Sequence, residues 1–173
     1  MDASTSLSAD LGERLLGLGA QVTTAESCTG GGIAEAITRI AGSSAWFEAG
    51  YITYSNAQKT AQLQVPTELF EQVGAVSREV VEAMVRGAQQ HSRARFAVAV
   101  SGVAGPGGGS ADKPVGTVFV AIFIDKHVHE FRTQFKGDAN SMRQQAADFI
   151  YQHLTDLLSR LQPLKSEQPT ISN

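Results

Sequence analysis

The sequence predicts an α/β fold in which a mixed sheet is sandwiched between helices. Three observations carry this expectation. Helical and strand-like segments follow one another in the order α-β-α-β-α-α-β-β-β-α, one segment is apolar enough for a strand buried on both faces, and three strand ends run into Gly- or Ser-rich junctions. In sheets of this kind ligands gather outside the carboxyl ends of the strands, so the junctions at 26–32, 54–59 and 101–117 are the candidate site.

Each element has its own warrant. Leu7, Leu11, Leu15 and Leu18 recur at helical spacing through LSADLGERLLGL (7–18), and Gly19 supplies a stop. QVTTAE (21–26) is short and β-branched, as a strand requires, and GGGIAEAITRIAG (30–42) returns to helical period with Ile33, Ile37 and Ile40 on one side. FEAGYITYS (47–55) alternates aromatic and β-branched residues, and Asn56 is placed to cap a helix through AQKTAQLQV (57–65) before Pro66 interrupts it. Ser77 precedes REVVEAMVRGAQQHSR (78–93), whose Val80, Val81, Met84, Val85 and Ala88 form an apolar stripe. RFAVAVS (95–101) is the doubly buried strand, and it empties into GVAGPGGGSADKP (102–114). VGTVFVAIFID (115–125) and HVHEFRTQF (127–135) read as strands joined tightly at Asp125 and Lys126, hence antiparallel. Asp138 caps a final helix over 138–161, with Met142, Ala146, Phe149, Ile150, Leu154, Leu157 and Leu161 facing inward. One domain over residues 1–162 is expected, followed by a frayed, polar tail at 163–173.

Composition excludes several classes. With 42% apolar and 18% charged residues, and no apolar run near the roughly 18 residues of a membrane span, a soluble globular protein without a membrane partner is expected. The N-terminus lacks a basic segment leading into an apolar one, so no signal peptide is read and a cytoplasmic location is expected. Cys28 is the single cysteine, and His91, His127, His129 and His153 are scattered, so neither a disulfide nor a metal site is expected. A net charge of −3 with dispersed Lys and Arg argues against a nucleic-acid partner.

Chemistry concentrates at the three junctions. TAESCTGGG places Ser27 and Cys28 at a strand-to-helix turn, where Ser27 is exposed for attack and first-turn amides face a developing oxyanion. The plainer alternative is that Ser27 or Thr29 is an N-cap for a helix beginning at Gly30. In YITYSNAQK, Tyr54 ends a strand and Lys59 lies in the next helical turn. A lysine whose pKa is lowered by burial and by a helix N-terminus can serve as the base for a serine, with Tyr54 relaying or orienting the proton; otherwise Lys59 is a solvated surface lysine. The loop SGVAGPGGGSADKPVGT offers unpaired amides, the hydroxyls of Ser101 and Ser110, and Lys113, a set suited to phosphate or sugar unless the loop is simply mobile. It lacks the GxxxxGK[ST] spacing, because Pro114 follows Lys113. Arg143, early in the last helix, can clamp an anion or form a weak surface pair. Cys28 is most simply a small buried residue, and Trp46 and Phe47 core or interface.

TAESCTGG, AGSSAWFEAGYITYSNAQK, GAVSREVV and VSGVAGPGGGSADKPVGTV, in this order, closely resemble the CinA C-terminal domain family over roughly residues 8–160. The resemblance implies a three-layer α/β/α sandwich with a mixed, mostly parallel five-stranded sheet, commonly assembled as a homo-oligomer, with a dimer expected. It implies an amidohydrolase that converts nicotinamide mononucleotide to nicotinic acid mononucleotide and ammonia in pyridine-nucleotide recycling, without a cofactor. The family's nucleophile falls on Ser27, and its supporting Tyr and Lys on Tyr54 and Lys59. Many relatives also carry an N-terminal domain resembling molybdopterin-binding proteins, linked to nucleotide pyrophosphatase activity, which is not carried over here. Many place an Arg directly after the Gly-Asp that opens the last helix, where this chain has Ala139, which leaves Arg143.

The combined expectation is acyl transfer by Ser27 with Lys59 as base and Tyr54 assisting. The backbone of Cys28, Thr29, Gly30 and Gly31 would hold the oxyanion. Ser101, Gly102, Gly105, Gly107 and Gly108 of the loop, together with Arg143, would hold the nucleotide. A non-catalytic nucleotide-binding or competence/damage-related partner-binding module is the alternative of another class, disfavoured because Ser27, Tyr54 and Lys59 are all present. A Cys28-dependent hydrolase is the third.

Overall fold

In the computed structural model, which describes residues 2–161, the chain runs β-strands and helices in the anticipated alternation. The strands are β1 Val22–Glu26, β2 Phe47–Ile52, β3 Phe96–Gly102, β4 Thr117–Ile124 and β5 His127–Gln134, and they form one sheet in the order β2-β1-β3-β4-β5. β1 pairs in parallel with β2 and β3, whereas β4 is antiparallel to both β3 and β5. Four strands therefore point one way. The tight β4–β5 connection is made by Asp125 and Lys126, both at positive φ (47° and 75°), as a two-residue hairpin turn demands.

Side chains alternate across the sheet and build two cores. Phe96, Val98 and Val100 of β3 and Val118, Val120 and Ile122 of β4 face α1 Ala3–Leu18, α2 Gly32–Thr38 and α6 Ala139–Ser159. Ala97, Ala99, Phe119, Ala121 and Phe123 face the opposite layer of α3 Asn56–Leu63, α4 Glu68–Gln72 and α5 Arg78–Ser92. The result is the three-layer α/β/α sandwich.

Capping residues decide where the helices differ from the sequence reading. α1 starts at Ala3, earlier than Leu7, because the Asp2 carboxylate accepts from the Thr5 N–H at 2.8 Å; it ends at left-handed Gly19 as expected. The N-cap of α3 is Ser55, which accepts from Gln58 N–H, and not Asn56. Ser77 and Asp138 cap α5 and α6 as the sequence indicates. α2 ends at Thr38, short of residue 42, and the five-residue α4 has no counterpart in the periodicity. Trp46 belongs to the core, its indole lying where a Cβ on Gly12 would fall within 2.6 Å. The tail expected at 163–173 lies outside the described residues.

Candidate active site

The register of the parallel strands brings the three junctions together. Glu26 stands opposite Ile52 of β2 and Val100 of β3, so the chain leaves three adjacent strands at one edge. Ser27 N–H donates to the Val100 carbonyl at 3.1 Å and Thr53 N–H to the Glu26 carbonyl at 2.9 Å, which extends the ladder one residue past the strands. Ser27, Cys28, Tyr54, Lys59, Ser101, Gly102, Gly105, Gly107 and Gly108 line a single cleft of about 320 Å³ there.

The turn after β1 is capped differently from the sequence reading, and Ser27, expected exposed, is only 8% exposed. Gly31 occupies the N-cap of α2 without any side-chain cap, so Ser27 and Thr29 are not caps. The buried Glu26 carboxylate takes that role from the strand end: Oε1 accepts from Thr29 Oγ1 (2.6 Å) and Ile33 N–H (2.9 Å), and Oε2 from Ala34 N–H (3.1 Å). First-turn amides of α2 are thereby engaged and do not serve an oxyanion. Gly30 N–H is also engaged, by the Ser27 carbonyl at 3.0 Å, whereas the amides of Cys28, Thr29 and Gly31 have no protein acceptor among the described residues. Gly31 must be glycine, since its φ is +100° and a Cβ would lie 2.7 Å from Ile52 Cδ1.

Lys59 is not a surface lysine. It is 1% exposed, and its Nζ donates to the Thr53 and Tyr54 carbonyls at 2.9 and 3.0 Å. Burial lowers its pKa below the ordinary lysine value, since desolvation penalises the ammonium. Tyr54 is placed differently from the expected relay: its side chain is 72% exposed and its hydroxyl has no hydrogen bond to Ser27 or Lys59. What Tyr54 gives Lys59 is its backbone carbonyl. Cys28 is buried against Gly102, and desolvation pushes its thiol up to about 12, which keeps the sulfur protonated at neutral pH.

The loop is anchored at its feet. Ser101 Oγ donates to the Ala75 carbonyl at 2.9 Å and Lys113 Nζ to the Val73 carbonyl at 2.7 Å, drawing the segment before α5 into the cleft wall through Ala75 and Val76. Ser110 faces back on the loop, accepting from Lys113 N–H at 3.0 Å. Arg143 is not brought to the loop. It lies with Thr29, Gly32 and Arg39 in a neighbouring cleft of about 280 Å³ and donates to Asn140 Oδ1.

Sequence reasoning missed Glu26 and the Ala75–Val76 wall. A glutamate ending a strand seven residues before a helical amide carries no cap signature, because the contact forms only once the turn has folded.

The CinA C-terminal domain model matches residues 4–158. The nicotinamide-nucleotide amidohydrolase PncC of Pseudomonas putida is 70% identical over 145 residues, covering 84% of this chain and 91% of that protein. The enzyme of the same name from Escherichia coli (strain K12) is 50% identical over 149 residues, covering 86% and 90%. The solved structure of the competence/damage inducible protein CihA from Agrobacterium tumefaciens superposes with a TM-score of 0.88 at 41% identity, covering 92% of this chain and 98% of that one. With the matched region spanning nearly every described element, the chain belongs to the CinA C-terminal domain family.

Proposed function

We propose that the protein is an amidohydrolase that converts nicotinamide mononucleotide to nicotinic acid mononucleotide and ammonia, a step of pyridine-nucleotide recycling. The observation that carries the mechanism is one cleft lined both by Ser27, itself only 8% exposed, and by a buried lysine whose amine is tied to two carbonyls. The names of the similar amidohydrolases supply the substrate class.

A neutral lysine amine has two N–H donors and one lone pair. With the donors spent on Thr53 and Tyr54, the lone pair is left for the Ser27 proton. Ser27 Oγ attacks the carboxamide carbon as Lys59 takes its proton, and the oxyanion is met by the free amide of Cys28, which lines the same cleft. Such a donor is worth about 3 kcal/mol at the transition state. The C–N bond then breaks, Lys59 returns the proton to the departing nitrogen, and ammonia leaves an acyl ester on Ser27. Water attacks that ester with Lys59 again as base, releasing the acid and restoring the Ser27 hydroxyl. The amides of Gly105, Gly107 and Gly108 bind the ribose phosphate at the cleft mouth and orient the ring. Tyr54 walls the cleft, and Arg143 stands in the neighbouring cleft.

The test is ammonia release from nicotinamide mononucleotide by wild type, Ser27→Ala and Lys59→Ala, with chelator present. Wild type should release ammonia and both variants should not. Wild-type turnover by Ser27→Ala would overturn the mechanism, and nucleotide binding without any ammonia release would make the chain a binding module.

A further inference from the structure

We infer that Glu26 is a positioning residue for the reaction, its buried carboxylate locking the Ser27–Gly31 turn so that Ser27 and Cys28 are held in place along the cleft. This rests on the function proposed above. Glu26 is 0% exposed, and its three hydrogen bonds join the middle of the turn at Thr29 to the helix just beyond it at Ile33 and Ala34. A carboxylate is an acceptor on both oxygens, and all three partners are donors.

The consequence for the site follows from where those donors sit. Thr29 supplies one of the unengaged amides, and its hydroxyl is pinned at 2.6 Å, which restricts how that peptide plane can rotate. Ile33 and Ala34 are satisfied by the same carboxylate, while Ser27 and Cys28 at the start of the turn line the cleft. Glu26 is itself clamped, its carbonyl accepting from Thr53 N–H, the residue whose carbonyl holds Lys59 Nζ. One residue thus ties the nucleophile turn to the strand end that holds the base. It touches neither substrate nor reacting atoms, and acts through the turn.

Two variants separate positioning from helix capping. Glu26→Gln keeps an acceptor for Thr29 and Ile33 but turns an amide NH₂ toward the Ala34 N–H, donor against donor. Thr29→Val removes only the hydroxyl bond and leaves the capping of α2 in place. Ammonia release from nicotinamide mononucleotide is measured with thermal unfolding and amide hydrogen exchange at residues 28–31. We expect Glu26→Gln to lower kcat about 10- to 100-fold and Thr29→Val about tenfold, with KM changed by less than about threefold and faster exchange in the turn. Thr29→Val should unfold at nearly the wild-type temperature. Wild-type kcat in both variants, or a lowered unfolding temperature with kcat and turn exchange unchanged, would overturn the proposal and leave Glu26 a cap. Should Glu26→Gln fail to fold, Thr29→Val decides alone. A wild type that releases no ammonia would instead remove the proposed function and this inference with it, an outcome told apart by the wild-type control.

Discussion

The turn after β1 and the loop after β3 leave adjacent strands side by side, yet they are held in opposite ways. The turn is closed from within, by Glu26 to Thr29, Ile33 and Ala34 and by backbone bonds Gly30 to Ser27 and Gly32 to Thr29. The loop is held from outside: Lys113 reaches Val73, Arg132 donates to the Asp112 carbonyl and Gln134 to that of Val115, while residues 106–112 stay exposed. Short, buried, charge-assisted bonds suit a group that must be placed to a fraction of an ångström. Long tethers to an exposed segment suit one that admits and releases a ligand. Damage to the turn should therefore appear in kcat and damage to the loop in KM.

The largest effect tests the turn. Ser27→Ala should lower kcat for ammonia release by at least about a thousandfold while the variant still binds nucleotide, because the hydroxyl is lost but the amides and loop remain. Binding is read by calorimetry. Loss of binding together with turnover would mean the two regions are not separable.

Lys59→Met should follow, with kcat reduced by about 10² to 10⁴. Its wild-type pKa is lowered by desolvation, so the neutral amine gains as pH rises and kcat/KM should climb on a limb below the ordinary lysine range. Stability carries the same sign. Between the lowered folded value and the ordinary 10.5, the unfolded chain binds more protons than the folded one, so wild type should gain stability relative to Lys59→Met as pH rises through that window. Urea unfolding at several pH values measures it, and a flat difference would contradict the buried placement of Lys59.

What was legible beforehand divides along the same line. The convergence of the three junctions was readable because strand ends in an α/β sheet share an edge, and Ser27, Lys59 and the glycines of the loop do meet there. The direction of individual side chains was not. Tyr54 ends exposed just past the edge strand β2, and Arg143 lines the cleft of Arg39 because the packing of α6 on α1 and α2 sets which cleft it reaches. Sequence spacing puts a residue on an element, but packing between layers selects the cavity.

On the loop, Lys113→Met should raise KM about tenfold and change kcat by less than about threefold. The lost ammonium-to-carbonyl bond frees the 105–109 segment and the Val73–Val76 wall together, without touching Ser27. Initial rates against substrate concentration give both constants. A fall in kcat at constant KM would show that the loop also helps place the reacting group, and the contrast with the turn would weaken.

The smallest effect belongs to Cys28, which sits between the two regions with its sulfur against Gly102 and its amide in the turn. Burial keeps the thiol protonated to about 12, so it is a poor nucleophile at neutral pH and its contribution is volume. Cys28→Ala should keep kcat within about threefold and lose about 1 kcal/mol of stability, the cost of a small cavity. Thiol alkylation of the folded wild type should be slow, and the alkylated fraction should match any activity lost through crowding at Gly102. A collapse of turnover in Cys28→Ala with Ser27→Ala still active would move the nucleophile one residue along the turn. The backbone amide of residue 28 survives the substitution, so retained activity would also show that it is the peptide at this position, and not its side chain, that joins the turn to the chemistry.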